Sequence, residues 1–131
     1  MPTRRTTLIS SVVAAFFLLA GTAQALTIKP FTTADFAAAQ TAGKPVAVHF
    51  HADWCPTCRA QDKALETLKS DPALKDVTLL QANYDTEKAL KQQMGIRTQS
   101  TFVVFKGKTE VARSAGVTEA GEIHKTLATG L

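Results

Sequence analysis

Val46-Ala47-Val48-His49-Phe50 narrows what this chain can become more than any other stretch. The run is β-branched and apolar and lacks the polar alternation of a half-solvated strand. It therefore reads as a central strand buried on both faces. Through His51-Ala52-Asp53 it leads into Trp54-Cys55-Pro56-Thr57-Cys58. A helical pattern follows from Pro56 to Ser70, with Ala60, Ala64, Leu65 and Leu68 on one side and charges opposite. Val77-Thr78-Leu79-Leu80-Gln81-Ala82 is a second strand. A strand, a helix and a second strand in that order imply a parallel pair, and with it a layered α/β fold.

The flanking segments extend this plan. Thr32-Thr33-Ala34-Asp35 has the hydroxyl cap and early acid of a helix start, and Gly43 marks its stop. Thr86 to Met94 is a polar-faced helix closed by Gly95. Thr101–Phe105, the turn Lys106-Gly107-Lys108 and Thr109–Arg113 form a hairpin, which must be antiparallel. Thr118 caps a last helix ending near Thr129. The predicted order is α, β, α, β, α, β, β, α: one α/β domain with a central mixed β-sheet flanked by helices. Residues 26–131 contain no repeat, linker or low-complexity tract.

Residues 1–25 do not belong to this plan. Arg4 and Arg5 precede an apolar stretch, Leu8–Ala20, which Gly21 and Thr22 break before Ala23-Gln24-Ala25. A charged start, a short apolar middle and a small-residue exit are the parts of a secretory signal peptide. The stretch is shorter than the roughly 20 residues needed to span a bilayer as a helix. Cleavage after Ala25 is expected, leaving 26–131 as the folded domain, and export places it in the bacterial periplasm, where a disulfide can persist. The Arg4-Arg5 pair hints at twin-arginine export, but Thr7 stands where a hydrophobic residue is expected. The formal charge of +4, from 15 Lys+Arg against 11 Asp+Glu, falls by two with the leader. No basic cluster with interleaved aromatics remains, so a nucleic-acid partner is not expected. Nor is there an extended apolar surface signal for an obligate dimer, and a monomer is expected.

The two cysteines are too few for a disulfide-stapled scaffold or a four-cysteine zinc site. At i and i+3 on a helix they are neighbours that a disulfide can bridge. Cys55 falls at the helix N-terminus, where unpaired N–H groups and the macrodipole favour a thiolate. Pro56 in the first turn costs no hydrogen bond. The arrangement suits Cys55 as an exposed nucleophile and Cys58 as the more buried resolving thiol, which attacks the mixed disulfide formed on Cys55. A purely structural disulfide closing so short a loop stabilises little. A metal site using His49 or His51 is the other alternative.

His51-Ala52-Asp53-Trp54-Cys55-Pro56-Thr57-Cys58-Arg59 resembles the active-site segment of the thioredoxin superfamily. Lys44-Pro45-Val46, Ala52-Asp53-Trp54-Cys55 and Asp71-Pro72 followed by Val77–Asn83 resemble the periplasmic thioredoxin-like domain of the transmembrane reductant carrier DsbD. The Cys-Pro-Thr-Cys interior is similar to that of the thioredoxin-like proteins of cytochrome c maturation. The likeness covers nearly all of the chain after the leader. It implies a thioredoxin-like fold and a thiol–disulfide oxidoreductase with no cofactor beyond its own Cys55–Cys58 dithiol. Its partners would be protein thiols and disulfides, with a membrane thiol electron donor.

Two positions depart from the family pattern. Gly95-Ile96-Arg97-Thr98-Gln99-Ser100-Thr101 carries Ser100 where the superfamily has a cis-proline facing the dithiol. A cis bond without proline costs about 2.5–4 kcal/mol, so Gln99–Ser100 is expected to be trans. The loop can still offer backbone groups to a bound peptide strand. Loss of the ring opens space beside Cys55, and the Ser100 hydroxyl can donate to its thiolate. The bland alternative is a neutral change in a surface loop. In family terms, losing the proline also weakens the barrier to metal or cluster capture. The second departure is His49, at the strand position where thioredoxins keep a buried acid beneath the resolving cysteine. His49 can take the proton from Cys58 as it attacks, or be a satisfied core histidine. Strand alternation points His51 to the same face as His49, and His51 reads as structural. Trp54, Pro56, Thr57, Gln99, Ser100 and Thr101 are the candidate substrate-binding rim, with Asp53 beside Trp54. The function expected is a periplasmic reductase of protein disulfides. The alternatives are an oxidising thiol–disulfide exchanger and a metal- or iron–sulfur-binding module.

Overall fold

A computed structural model describes residues 25–131, so the expected export signal, residues 1–25, lies outside the described residues except for Ala25. The apolar run forms β2 (Pro45–His51), and Val46 to Phe50 are all buried. It is the central strand of five, in the order β1 (Thr27–Pro30), β3 (Thr78–Asn83), β2, β4 (Thr101–Lys106), β5 (Thr109–Ala115). β2 runs parallel to β3 and antiparallel to β4, with Phe50 opposite Ala82 and Thr101.

Alternation sends β2 side chains into two cores. Val46, Val48 and Phe50 pack with Leu80, Val103 and Phe105 beneath Phe36 of α1 (Thr33–Thr41) and Leu90 of α3 (Lys88–Met94). Ala47 faces the other way, with Leu79, Phe102 and Val104. There α2 (Pro56–Leu68) supplies Ala64, Leu65 and Leu68, and α4 (Ala120–Ala128) supplies Ile123 and Leu127.

Local signals placed most boundaries. Thr32 caps α1, accepting from the Asp35 N–H at 3.0 Å. Gly95 closes α3 in the left-handed region, φ 65°, which costs glycine little. β4 and β5 form the expected antiparallel hairpin around Gly107. Three expectations are corrected. β1 was not anticipated, because a short edge strand ending in Pro30 is specified by its pairing with β3 rather than by its own pattern. Thr118 does not cap α4: the helix begins after Glu119, and no side chain caps it. The buried stripe of α2 runs through Cys58, Gln61, Ala64, Leu65 and Leu68, with Ala60 only half-buried.

Candidate active site

The dithiol sits where β2 ends and α2 begins. Cys55 is the N-cap of α2 and Pro56 follows in its first turn. The Cys58 N–H, which has no intrahelical partner, donates to Cys55 Sγ at 3.1 Å. Both cysteines are free thiols. The expectation of an exposed Cys55 is corrected, since it is only 1% exposed and Cys58 is fully buried. Ala52 and Tyr84 pack around the pair, and Ser100 closes over it from a loop remote in sequence.

Ser100 is not a surface substitution. It is 3% exposed, the Gln99–Ser100 peptide is trans, and φ is 61°. A non-glycine residue in that left-handed region costs about 1–2 kcal/mol. Three hydrogen bonds hold it there. Its N–H donates to the Phe50 carbonyl at 2.8 Å, and its carbonyl accepts from the Gly116 N–H at 3.0 Å and from Gln61 Nε2 at 3.0 Å. The space beside Cys55 is taken by the hydroxyl itself: Oγ lies 3.1 Å from Cys55 Sγ and 3.1 Å from Cys58 Sγ.

Gln61 escaped the sequence reading, although it lies on the 61-64-65-68 stripe that α2 buries. A polar residue on a buried helix face was the available signal. Its Nε2 also donates to the Val117 carbonyl at 2.8 Å, so both amide hydrogens are committed to carbonyl oxygens. Oε1 is therefore the acceptor facing His49 Nε2 at 2.8 Å, which fixes the Nε2–H tautomer of His49. His49 is fully buried, stacks on Phe102 at 4.3 Å, and leaves Nδ1 without a partner. Burial pulls its pKa down to about 4, against the opposing effect of the hydrogen bond it donates to Gln61. It is neutral at neutral pH, and it bonds Gln61 rather than Cys58. His51 bonds Asp62 at 2.8 Å, away from the sulfurs.

The two thiols differ in basicity. Burial pushes Cys55 up, but hydrogen bonds from the Cys58 side chain, Ser100, the Cys58 N–H and Gln99 outweigh it, and the net shift is downward. Cys58 is pushed up by burial and by the neighbouring Cys55 sulfur, with Ser100 opposing. Cys55 is thus the better nucleophile and Cys58 the thiol held in reserve.

The rim is assembled from both sides. Trp54 is 56% exposed, with Nε1 donating to Asp85 at 2.8 Å. Pro56 is exposed, and Thr57 and Gln99 are half-buried. Thr101 turns away, its hydroxyl donating to the Thr98 carbonyl at 2.9 Å. Among the described residues no three or more His, Cys, Asp or Glu side chains gather at one point as metal ligands would.

The thioredoxin family model matches residues 27–129. The chain belongs to the thioredoxin family. The thioredoxin of Alicyclobacillus acidocaldarius is 34% identical over 97 residues, 74% of this chain and 91% of that protein. The thioredoxin of Chlamydia muridarum is 32% identical over 63% of this chain and 78% of its own length. The crystal structure of Trxlp from Edwardsiella tarda superposes with a TM-score of 0.73 at 38% identity, covering 77% of this chain and 98% of that one. As a thioredoxin-family member with Cys55 and Cys58 side by side, the protein is a thiol–disulfide oxidoreductase acting on protein disulfides.

Proposed function

We propose that this oxidoreductase works in the reducing direction, in the periplasm, on disulfides of other proteins, and is recharged by a membrane thiol donor. Cys55 attacks the client disulfide, and Cys58 attacks the mixed disulfide to release the reduced client. The observation that carries the direction is the kind of donor at Cys55. Its thiolate is met only by neutral groups, the Cys58 N–H, the Ser100 hydroxyl and Gln99. Among the described residues no Lys, Arg or His side chain hydrogen-bonds either sulfur, and Arg59 reaches the Asp53 carbonyl instead. A strongly oxidising pair owes its potential to a strongly stabilised thiolate, which favours its reduced form, and among the described residues no charged donor meets Cys55 to supply it.

The rim supports a client bound as an extended strand. Ser100 spends both backbone groups internally, whereas the Gln99 N–H and carbonyl have no partner among the described residues. They are free to pair with a client backbone in β-augmentation, beside Trp54, Pro56 and Thr57. The proposed export rests on Arg4, Arg5, the apolar run and Ala23-Gln24-Ala25. Redox titration of the Cys55–Cys58 couple tests the direction. A potential near the thioredoxin value of about −270 mV is expected, and one near about −120 mV would overturn it.

A further inference from the structure

A serine hydroxyl has one proton to give and lone pairs to receive another. Ser100 Oγ stands 3.1 Å from each sulfur, so it can donate to one while accepting from the other. With Cys55 as thiolate, Oγ–H points to Cys55 and the Cys58 thiol donates to Oγ. Cys58 is fully buried and needs a way to lose its proton when it attacks. Among the described residues none of the other titratable groups on this side of the sheet hydrogen-bonds Cys58: His49 Nδ1 has no partner at all, and His124 pairs with Asp71. His49 bonds Gln61, and His51 bonds Asp62, which also accepts from Gln81. Among the described residues Ser100 supplies the only hydroxyl, carboxylate or imidazole that hydrogen-bonds Cys58 Sγ.

We propose that Ser100 is a catalytic residue whose hydroxyl passes the Cys58 proton to the sulfur leaving Cys55. The proposal rests on the oxidoreductase chemistry above and assigns the proton transfer of its second step. In the mixed disulfide Cys55 Sγ is neutral and bonded to the client sulfur. Cys58 Sγ attacks Cys55 Sγ. The Cys58–Cys55 bond forms and the Cys55–client bond breaks, its electron pair leaving with the client sulfur. The Cys58 proton moves to Ser100 Oγ as the proton of Oγ moves to that sulfur. The client leaves as a thiol, the cysteines are oxidised to the disulfide, and Ser100 is again a hydroxyl. The bonds from Phe50, Gly116 and Gln61 pin the Ser100 backbone and keep Oγ between the sulfurs.

The test follows the two steps separately with glutathione disulfide as oxidant and acid quenching of the mixed disulfide. Wild type is compared with Ser100→Ala and Ser100→Gly. Glycine suits the left-handed backbone, so it removes the hydroxyl without adding strain. Resolution by Cys58 is expected to slow about 100-fold in both variants, the lower end for a lost proton-transfer group. Its rate should also become steeply pH-dependent, rising about tenfold per pH unit where the wild type is nearly flat, because hydroxide must replace the relay. Slowing confined to attack by Cys55, with resolution and its pH profile unchanged, would overturn the relay and leave Ser100 as a donor to Cys55 alone. A wild type that never exchanges with glutathione disulfide would instead remove the oxidoreductase chemistry beneath it.

Discussion

The two faces of β2 are built on different terms. Toward α1 and α3 it presents Val46, Val48 and Phe50, packed on Phe36, Leu80, Leu90, Val103 and Phe105, with Thr101 opposite Phe50 as the buried polar neighbour. Toward α2 and α4, the apolar core around Ala47 and Phe102 encloses a polar chain that runs from His49 through Gln61 to Ser100 and the sulfurs. Burying polar groups is costly unless each is hydrogen-bonded, so that chain must be nearly complete to be tolerated. The first face is held mainly by apolar packing. The second gives up some hydrophobic packing to hold a hydroxyl in a strained conformation between two thiols.

Substitutions that separate stability from thiol chemistry test that division. Leu80→Ala, on the apolar face, should cost about 2–5 kcal/mol in denaturant unfolding. The pH dependence of Cys55 alkylation should stay where it is in the folded fraction. A displaced profile would mean that the two faces are coupled.

His49 provides the next largest effect. Unfolded it titrates near 6.5 and folded at about 4. Between those values the unfolded chain binds a proton that the folded chain refuses. Stability from this group is therefore complete above pH 6.5 and is lost as pH falls toward 4, by about 3 kcal/mol. Unfolding free energy measured across that window should show the slope in wild type and lose most of it in His49→Gln. An equal slope in the variant would place the proton uptake elsewhere.

Gln61→Leu gives the smallest loss of stability, about 1–3 kcal/mol, because it strands the His49 Nε2–H and one acceptor site on the Val117 carbonyl. Unlike Leu80→Ala, it should also move Cys55 alkylation to higher pH by loosening Ser100. An unmoved profile would make Gln61 a packing residue only.

What was legible in the sequence was what neighbours along the chain decide. The Thr32 cap, the buried run of β2, Pro56 opening α2 and Gly95 closing α3 depend on residues within one turn or one strand. One α/β domain with a mixed sheet and a cysteine pair at a helix start followed from that order, and the thioredoxin-like fold from the resemblance of the segment around Cys55 and Cys58. The rest depends on distant partners. β1 exists because it pairs with β3, and the start of α4 follows Val117, whose carbonyl Gln61 holds. Cys55 is buried by Ala52, Tyr84 and Ser100, two of them far along the chain. The trans peptide at Gln99–Ser100 was foreseen from bond energetics alone, but that the serine hydroxyl would touch both sulfurs was not.

The most direct measurement is competitive alkylation of the reduced wild-type protein across pH, with each cysteine followed by mass spectrometry. Cys55 should react first, with its midpoint below that of an ordinary thiol, while Cys58 stays silent until the solution is strongly alkaline. Cys58 reacting first, or the two titrating together as ordinary thiols, would contradict the division of labour between the two sulfurs.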